Sequence, residues 1–421
     1  MKNKFLILGL TILIFSKIYS VPICTVINSP GTYGFGAGFA AQPTDADDAL
    51  VCITSSNVVL DFGGEVFSQD PNFRAPGFDG VRISSNLTNI TIKNGTLKNM
   101  TGIGINVGDG CSDIHVENMT IKSCDESGIL LGGTSISLVQ DASINNCFIK
   151  SCTGISTNPA AYGLRVTYGN DIRIDNSLVN NIDGATSLAA YALSVENSKA
   201  VSIVNCQFMD NAGNDVVAGI RIKDSDWTQI SNCSVLNSVA RQNSAGSRAL
   251  GIFLDNSNYA SILDCTSKHN NHATQSGYGF QALNGSNNLL KNCITMNNKG
   301  SVQAAGFYLN GTEVASAIIE SESRANDGGA GNGYGILLDG STKCDIFKNN
   351  IHGNKGTTEG IGLKDTAVAT NNLIHGNIAF NNDTRGYKVT TATGTFQASH
   401  ATIGDYTSTT TASDYYNVQF N

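Results

Sequence analysis

Charge is scarce in this chain. Charged residues fill 14% of its 421 positions, against about a quarter in ordinary soluble domains. Disordered chains are charge-rich and apolar-poor, whereas 41% of this one is hydrophobic, which excludes disorder throughout. Cations are scarcer still. The 26 Lys and Arg face 34 Asp and Glu, leaving a net charge of -8 with no Lys/Arg run to offset it. Nucleic acid and anionic membrane surfaces are therefore poor partners. Past residue 20 no long apolar run remains, so membrane insertion is not expected after the first segment is removed. Close-set Cys/His pairs are missing, which argues against structural zinc, and the six His are scattered. "GFGAGF" and "GGAGNG" lack the strand-to-helix context of a phosphate loop. "HNNH" reads as a polar turn, and the lone Trp227 as a turn residue.

The first 20 residues are "MKNKFLILGLTILIFSKIYS". Lysines precede a short apolar run, and the small Ser20 follows, which is a signal-peptide layout. A secreted, cell-surface or periplasmic location is expected. Pro22 and Ile23 stand where a lipoprotein would need small residues before Cys24.

What the chain does have is a repeat. "G-apolar-x-apolar" recurs as "GVRI", "GINV", "GILL", "GLRV", "GIRI", "GIFL", "GFYL", "GILL" and "GIGL", with "ALSV" and "GFQA" as variants. The units begin at residues 80, 104, 128, 163, 192, 219, 251, 279, 306, 335 and 360. About ten residues on comes an alternating run such as "DIRID", then an Asn, then a third alternation such as "NCQF" or "NCSV". Period-two alternation means strands, and three short strands per repeat without a helix mean a three-sided parallel coil.

Stacking such turns about 4.8 Å apart puts equivalent residues in columns. The position after the Asn reads Gly95, Met119, Cys147, Ser177, Cys206, Cys233, Cys265, Cys293, Ser321 and Asn350. Two residues on stand Leu97, Ile121, Ile149, Val179, Phe208, Val235, Ser267 and Thr295, so this parity points inward. The cysteines are read as a buried, reduced packing ladder. The preceding Asn suits a left-handed corner and can bond the next turn's Asn. Eleven cysteines is an odd total. Cys124 with Cys152 and Cys24 with Cys52 are the pairs placed for bridging.

The sequence resembles the pectin-lyase-like right-handed β-helix proteins, especially those with NosD-type repeats. The carriers are "INSPGTYGFG", "SSNVVLDFGGEVFS", "NLTNITIKNGTLKNMTGIGI" and the later "GI-L … NN-I … N" units. The resemblance implies an all-β, single right-handed parallel β-helix, and the repeat count gives about 11 to 12 turns. The expected layout is a signal peptide over 1–20, an N-terminal cap over 21–50, the β-helix over 51–382 and a C-terminal cap or tail over 383–421. "TDADDAL" has the look of a short capping helix.

Insertions concentrate just before the "G-apolar-x-apolar" strand, so long loops flank its outer face. In lyase and hydrolase relatives, the resemblance implies, this region holds the polysaccharide groove. The residue between the two apolar positions should face out, as should the one after them. The first series runs through Arg82, Arg165, Arg221, Phe253 and Tyr308 to Gly362. The second runs through Glu196, Lys223, Asp255 and Asn284 to Lys364. Arg165, Glu196, Arg221, Lys223, Phe253, Asp255 and Tyr308 thus form the candidate surface, where rings and planar donors suit sugars and uronates. An ordinary solvated sheet face would carry a similar mixture. Polygalacturonase-type relatives use Asn-Thr-Asp, Asp-Asp, Gly-His-Gly and Arg-Ile-Lys motifs. "NTD" and "GHG" are missing, the only "DD", Asp47-Asp48, lies in the cap, and "RIK" at 221–223 belongs to the repeat consensus and reads as coincidence. The expected role is an exported binding protein with glycan as the leading ligand and no cofactor. The alternatives are a polysaccharide lyase or related carbohydrate-active enzyme, with calcium on Glu196 and Asp255 in the lyase case, and a purely structural surface protein.

Overall fold

The computed structural model describes residues 25–34, 40–41, 49–69, 77–154, 160–184, 189–241, 246–366, 369–389, 395–398 and 406–408. The leading segment 1–20, Cys24 and residues 44–48 of the expected capping helix lie outside them. Ala49 and Leu50, at the end of that motif, already belong to a strand, Ala49–Ile53.

The chain winds into a parallel β-solenoid of about 12 turns. Every pairing between its strands is parallel, as stacking of successive turns requires. One sheet of 15 strands runs from Thr25–Ile27 to Tyr406–Ser408 and contains all the "G-apolar-x-apolar" segments; it is called the anchor sheet here. Parallel pairing therefore extends beyond residues 51–382 at both ends. The other two faces are separated by a one-residue corner. Thr88–Lys98 and Ser112–Lys122 each pass through both as one strand of 11 residues. The corner residues, from Asn94 to Lys348, have φ between 48 and 58°. Asn tolerates this left-handed conformation best, and it fills seven of the eight earliest corners, from Asn94 to Asn292 with Asp264 the exception. The variable corner before the anchor strand carries a fourth, short sheet: Ala212–Gly213, Val239–Ala240, Asn271–His272 and Lys299–Gly300.

Inward residues fill the coil in columns. Leu97, Ile121, Ile149, Val179, Phe208, Val235, Ser267 and Thr295 are all fully buried, as the alternation predicts. This column explains the anchor glycine. A Cβ on Gly219 would lie 2.1 Å from Val235, and one on Gly251 would lie 1.7 Å from Ser267 Oγ. Two inward residues of one turn meet there, and only one has room for a side chain.

Cys147, Cys206, Cys233, Cys265 and Cys293 are free, buried thiols. Each Sγ donates to a carbonyl of the preceding turn, such as Cys233 to Ile203 O at 3.6 Å and Cys293 to Ile262 O at 3.4 Å. The rung after Ser321 is Asn349, not Asn350. The inward Ile351 pairs with Ser323 and fixes that register, which puts the left-handed corner at Lys348. Asn349 Nδ2 then takes over the thiol's role and donates to Ile318 O at 2.8 Å. Two other expected positions shift for the same reason. Gly335 is matched by Gly362, so Lys364, not Gly362, continues the Arg221 column, and Leu283 rather than Asn284 follows Asp255.

Cys124 and Cys152 do not bridge; both are free and buried, and contact with Cys152 together with burial pushes the Cys124 thiol up. Cys52 is disulfide-bonded. Its expected partner, Cys24, lies outside the described residues. A second ladder, made of amides, lines the corner after the third strand: Asn270, Asn298, Asn326, Asn354 and Asn382 are linked Nδ2 to Oδ1 at 2.8 to 2.9 Å. His272 is not in a turn but buried in the short corner sheet, its Nδ1 accepting from Thr274 and Gln275 N–H and its other nitrogen meeting Ser247. Trp227 occupies a left-handed corner with φ 59° and stacks on Tyr259 at 4.3 Å.

Candidate functional site

Cross-turn pairing brings all seven candidate residues onto the outer face of the anchor sheet. Arg165, Ser194, Arg221, Phe253, Gln281 and Tyr308 form one column in register. Glu196, Lys223 and Asp255 form the next column.

Their surroundings differ from those expected of a solvated strand. Arg165 Nη2 lies 3.2 Å from Glu196 Oε2, and Arg221 Nη1 lies 3.5 Å from Glu196 Oε1. Arg221 Nη2 is also 3.5 Å from Asp255 Oδ2, so the four side chains form one ionic strip across four turns. Ser194 Oγ steadies Glu196 with a 2.9 Å bond. Each carboxylate thus faces a guanidinium, Glu196 two of them and Asp255 one. Among the described residues no group of three or more His, Cys, Asp or Glu could hold a metal ion. Lys223 leans outward instead, 3.8 Å from Asp224.

Phe253 and Tyr308 are not exposed platforms. They are 4% and 6% exposed, in an apolar cluster with Tyr162, Tyr191, Leu250, Tyr278, Tyr334 and Leu337. The four tyrosines share one column with Ala218, Leu250 and Ala305, set one residue before each anchor position. Alternation along a strand gives side-chain parity but not what covers the outer side. The recurring "YG" and "YA" before the repeat core was the available signal for this column.

The cluster backs the ionic strip. The Arg165 guanidinium lies 4.5 Å from the Tyr162 ring and that of Arg221 lies 4.9 Å from the Tyr191 ring. Burial pushes the Tyr191 phenol up to about 12, so it stays neutral. Arg221 is 15% exposed and Arg165 28%. Both Nε atoms, and Gln281 Nε2, are buried without a hydrogen-bond partner. At the C-terminal end a second cluster, which the sequence reading did not single out, joins Tyr334, Glu359, Lys364 and Lys388. Lys364 Nζ reaches Glu359 at 2.7 Å and Tyr334 OH at 3.0 Å, and Lys388 closes on Glu359 from the next turn.

Strands paired in parallel turn upon turn, with a one-residue corner and an inward ladder, define a β-solenoid with three faces. The chain belongs to the family described as the right handed beta helix region, which matches residues 44–208, 88–249 and 191–407. Among solved structures, a periplasmic alginate epimerase, AlgG, is 12% identical, with 93% of this chain and 79% of that chain covered and a TM-score of 0.45. A DFA-IIIase from Arthrobacter chlorophenolicus A6 is 11% identical over 73% of this chain and 85% of that one, again at 0.45. A glycoside hydrolase is 13% identical over 60% and 50%, at 0.39. Likeness at these scores carries no functional argument. No curated protein matches the chain. No helix among the described residues is long and apolar enough to cross a membrane.

Proposed function

We propose that this is an exported binding protein that takes an acidic glycan along the outer face of the anchor sheet, at the strip from Arg165 to Asp255. The export reading rests on the signal-peptide layout of residues 1–20. The observation that carries the ligand reading is the loose hold on Arg221. Its two contacts to carboxylates are both 3.5 Å, at the outer limit for hydrogen bonds and well beyond the 2.7 to 2.9 Å of strong charge-assisted ones. A uronate carboxylate can make shorter, paired bonds to the same guanidinium. The tyrosine layer beneath keeps Arg221 in place, so little order is lost on binding.

In the lyase alternative calcium would sit on Glu196 and Asp255, and each of these carboxylates already faces a guanidinium, which supports binding over turnover. A glycan-array screen followed by calorimetry and an assay for unsaturated uronate product tests the reading. Binding without product supports it. Calcium-dependent product favours the lyase, and neither result favours a structural surface protein.

A further inference from the structure

A second concave site lies on the other side of the variable corner, away from the anchor face. We propose that it is a separate saccharide site, selective for chains that carry an oxyanion substituent, either a uronate carboxylate or a sulfate ester. It does not depend on the role given to Arg221.

The groove encloses about 600 Å³ between the end of the third face and the short corner sheet. Its register is set by two strand pairs: Lys268 stacks under Met296, and Asn271 under Lys299. Lys268 therefore closes the third-face strand of one turn, and Lys299 opens the short sheet of the next. Both lysines line the groove. Neither has a carboxylate partner among the described residues. On the anchor face, by contrast, both arginines of the strip are paired. In a chain of net charge -8, two unpaired cations converging on one hollow mark a place for an anion.

The rest of the lining speaks for a sugar rather than a bare ion. Asp210, Asn237, His269 and Asn297 are successive left-handed corner residues, with φ of 54, 60, 57 and 55°. Each turn thus projects one polar side chain into the groove, and four turns span about 15 Å. Asn237 Nδ2 holds Asp210 Oδ1 at 2.9 Å, so the Asp210 charge is partly satisfied and the Asn237 carbonyl is left to accept from a hydroxyl. Asn271 and Asn297 offer further amides, and Leu236 supplies the apolar contact. Neutral donors and acceptors strung along a groove match sugar hydroxyls, while the lysine pair matches one charged substituent.

Calorimetry on the full chain, after signal removal, tests this with four probes: a neutral hexasaccharide, a uronate hexasaccharide, a sulfated hexasaccharide and inorganic sulfate. The Lys268→Ala/Lys299→Ala double variant should weaken at least one acidic hexasaccharide about tenfold or more. Arg221→Ala should leave that binding component in place, which separates this site from the anchor face. Both lysines should also be protected from reductive methylation by the same hexasaccharide in the unmodified sequence. Unchanged binding in the double variant, or no protection, overturns the proposal. So does inorganic sulfate binding as tightly as the acidic hexasaccharides, which would make the groove a simple ion site.

Discussion

Glu196 stands between two arginines from neighbouring positions of its sheet, 3.2 Å from Arg165 and 3.5 Å from Arg221. It is 14% exposed. This one carboxylate therefore decides how much of each guanidinium is available to anything else.

Replacing it separates binding from stability. Glu196→Gln should cost about 1 to 3 kcal/mol in urea unfolding, because partly buried charged hydrogen bonds are lost. It should also strengthen acidic-glycan binding, since both arginines lose a competitor. Arg221→Ala should weaken the same binding by about 1.5 to 3 kcal/mol. The control is Lys348, a distant exposed cation that is 56% exposed. Arg82 is unsuitable, because its Nε holds the buried Asp79 at 3.0 Å. If Lys348→Ala weakens binding as much as Arg221→Ala, the attraction is diffuse and the strip is not the site.

Phe253→Ala should be costly to fold. The ring is 4% exposed and sits in the outer apolar cluster, with the Arg248 guanidinium 5.7 Å from it. Removing a buried Phe usually costs about 3 to 5 kcal/mol. A change below about 1 kcal/mol in denaturant unfolding would show that the cluster opens in solution.

The thiols of the ladder should resist labelling until the coil opens. Burial pushes the Cys147 thiol up to about 11 and the Cys293 thiol up to about 12, so little thiolate exists at neutral pH. Native labelling at pH 8 followed by mass spectrometry should leave Cys206, Cys233, Cys265 and Cys293 unmodified, and denaturation should expose all four. Cys233→Ala should cost about 1 to 2 kcal/mol, and Cys233→Asp more, since a carboxylate would find no partner inside the coil.

Glu359 should make the C-terminal turns acid-sensitive. Burial alone would raise its carboxyl, but hydrogen bonds from Lys364, Lys388 and Tyr334 outweigh it and hold it down at about 2, below its ordinary 4.5. A depressed acid stabilises the fold above pH 4.5, and that contribution is lost as pH falls towards 2. With solvent screening taken into account the contribution is about 1 to 2 kcal/mol. Glu359→Gln should flatten the fall in stability between about pH 5 and pH 2 by that amount. Parallel pH profiles for the two proteins would refute the assignment.

Much of the architecture was legible because it is one-dimensional. Gly at most anchors, Asn at most corners and period-two alternation between them are local demands, repeated at a spacing that can be read along the chain. The buried cysteines followed from parity alone. Reading slipped where two equivalent choices stood side by side. "NN" at 349–350 and "GIG" at 360–362 each offer two registers, and only pairing with the neighbouring turn selects one.

The candidate site was half legible for a different reason. Sequence placed Arg165, Glu196, Arg221, Lys223, Phe253, Asp255 and Tyr308 on one face, and the paired columns bear that out. It could not say which of them meet solvent. Parity distinguishes in from out, but burial on the outer side depends on neighbours a turn or more away, brought close by stacking. By itself the sequence determined the coil, its ladder and the membership of the face. The tertiary structure alone decided that Glu196 and Asp255 are held by guanidinium and that Phe253 and Tyr308 are buried. It also decided that Lys268 and Lys299 share a groove, because cross-turn distances are set by the stacking repeat and not by separation along the chain.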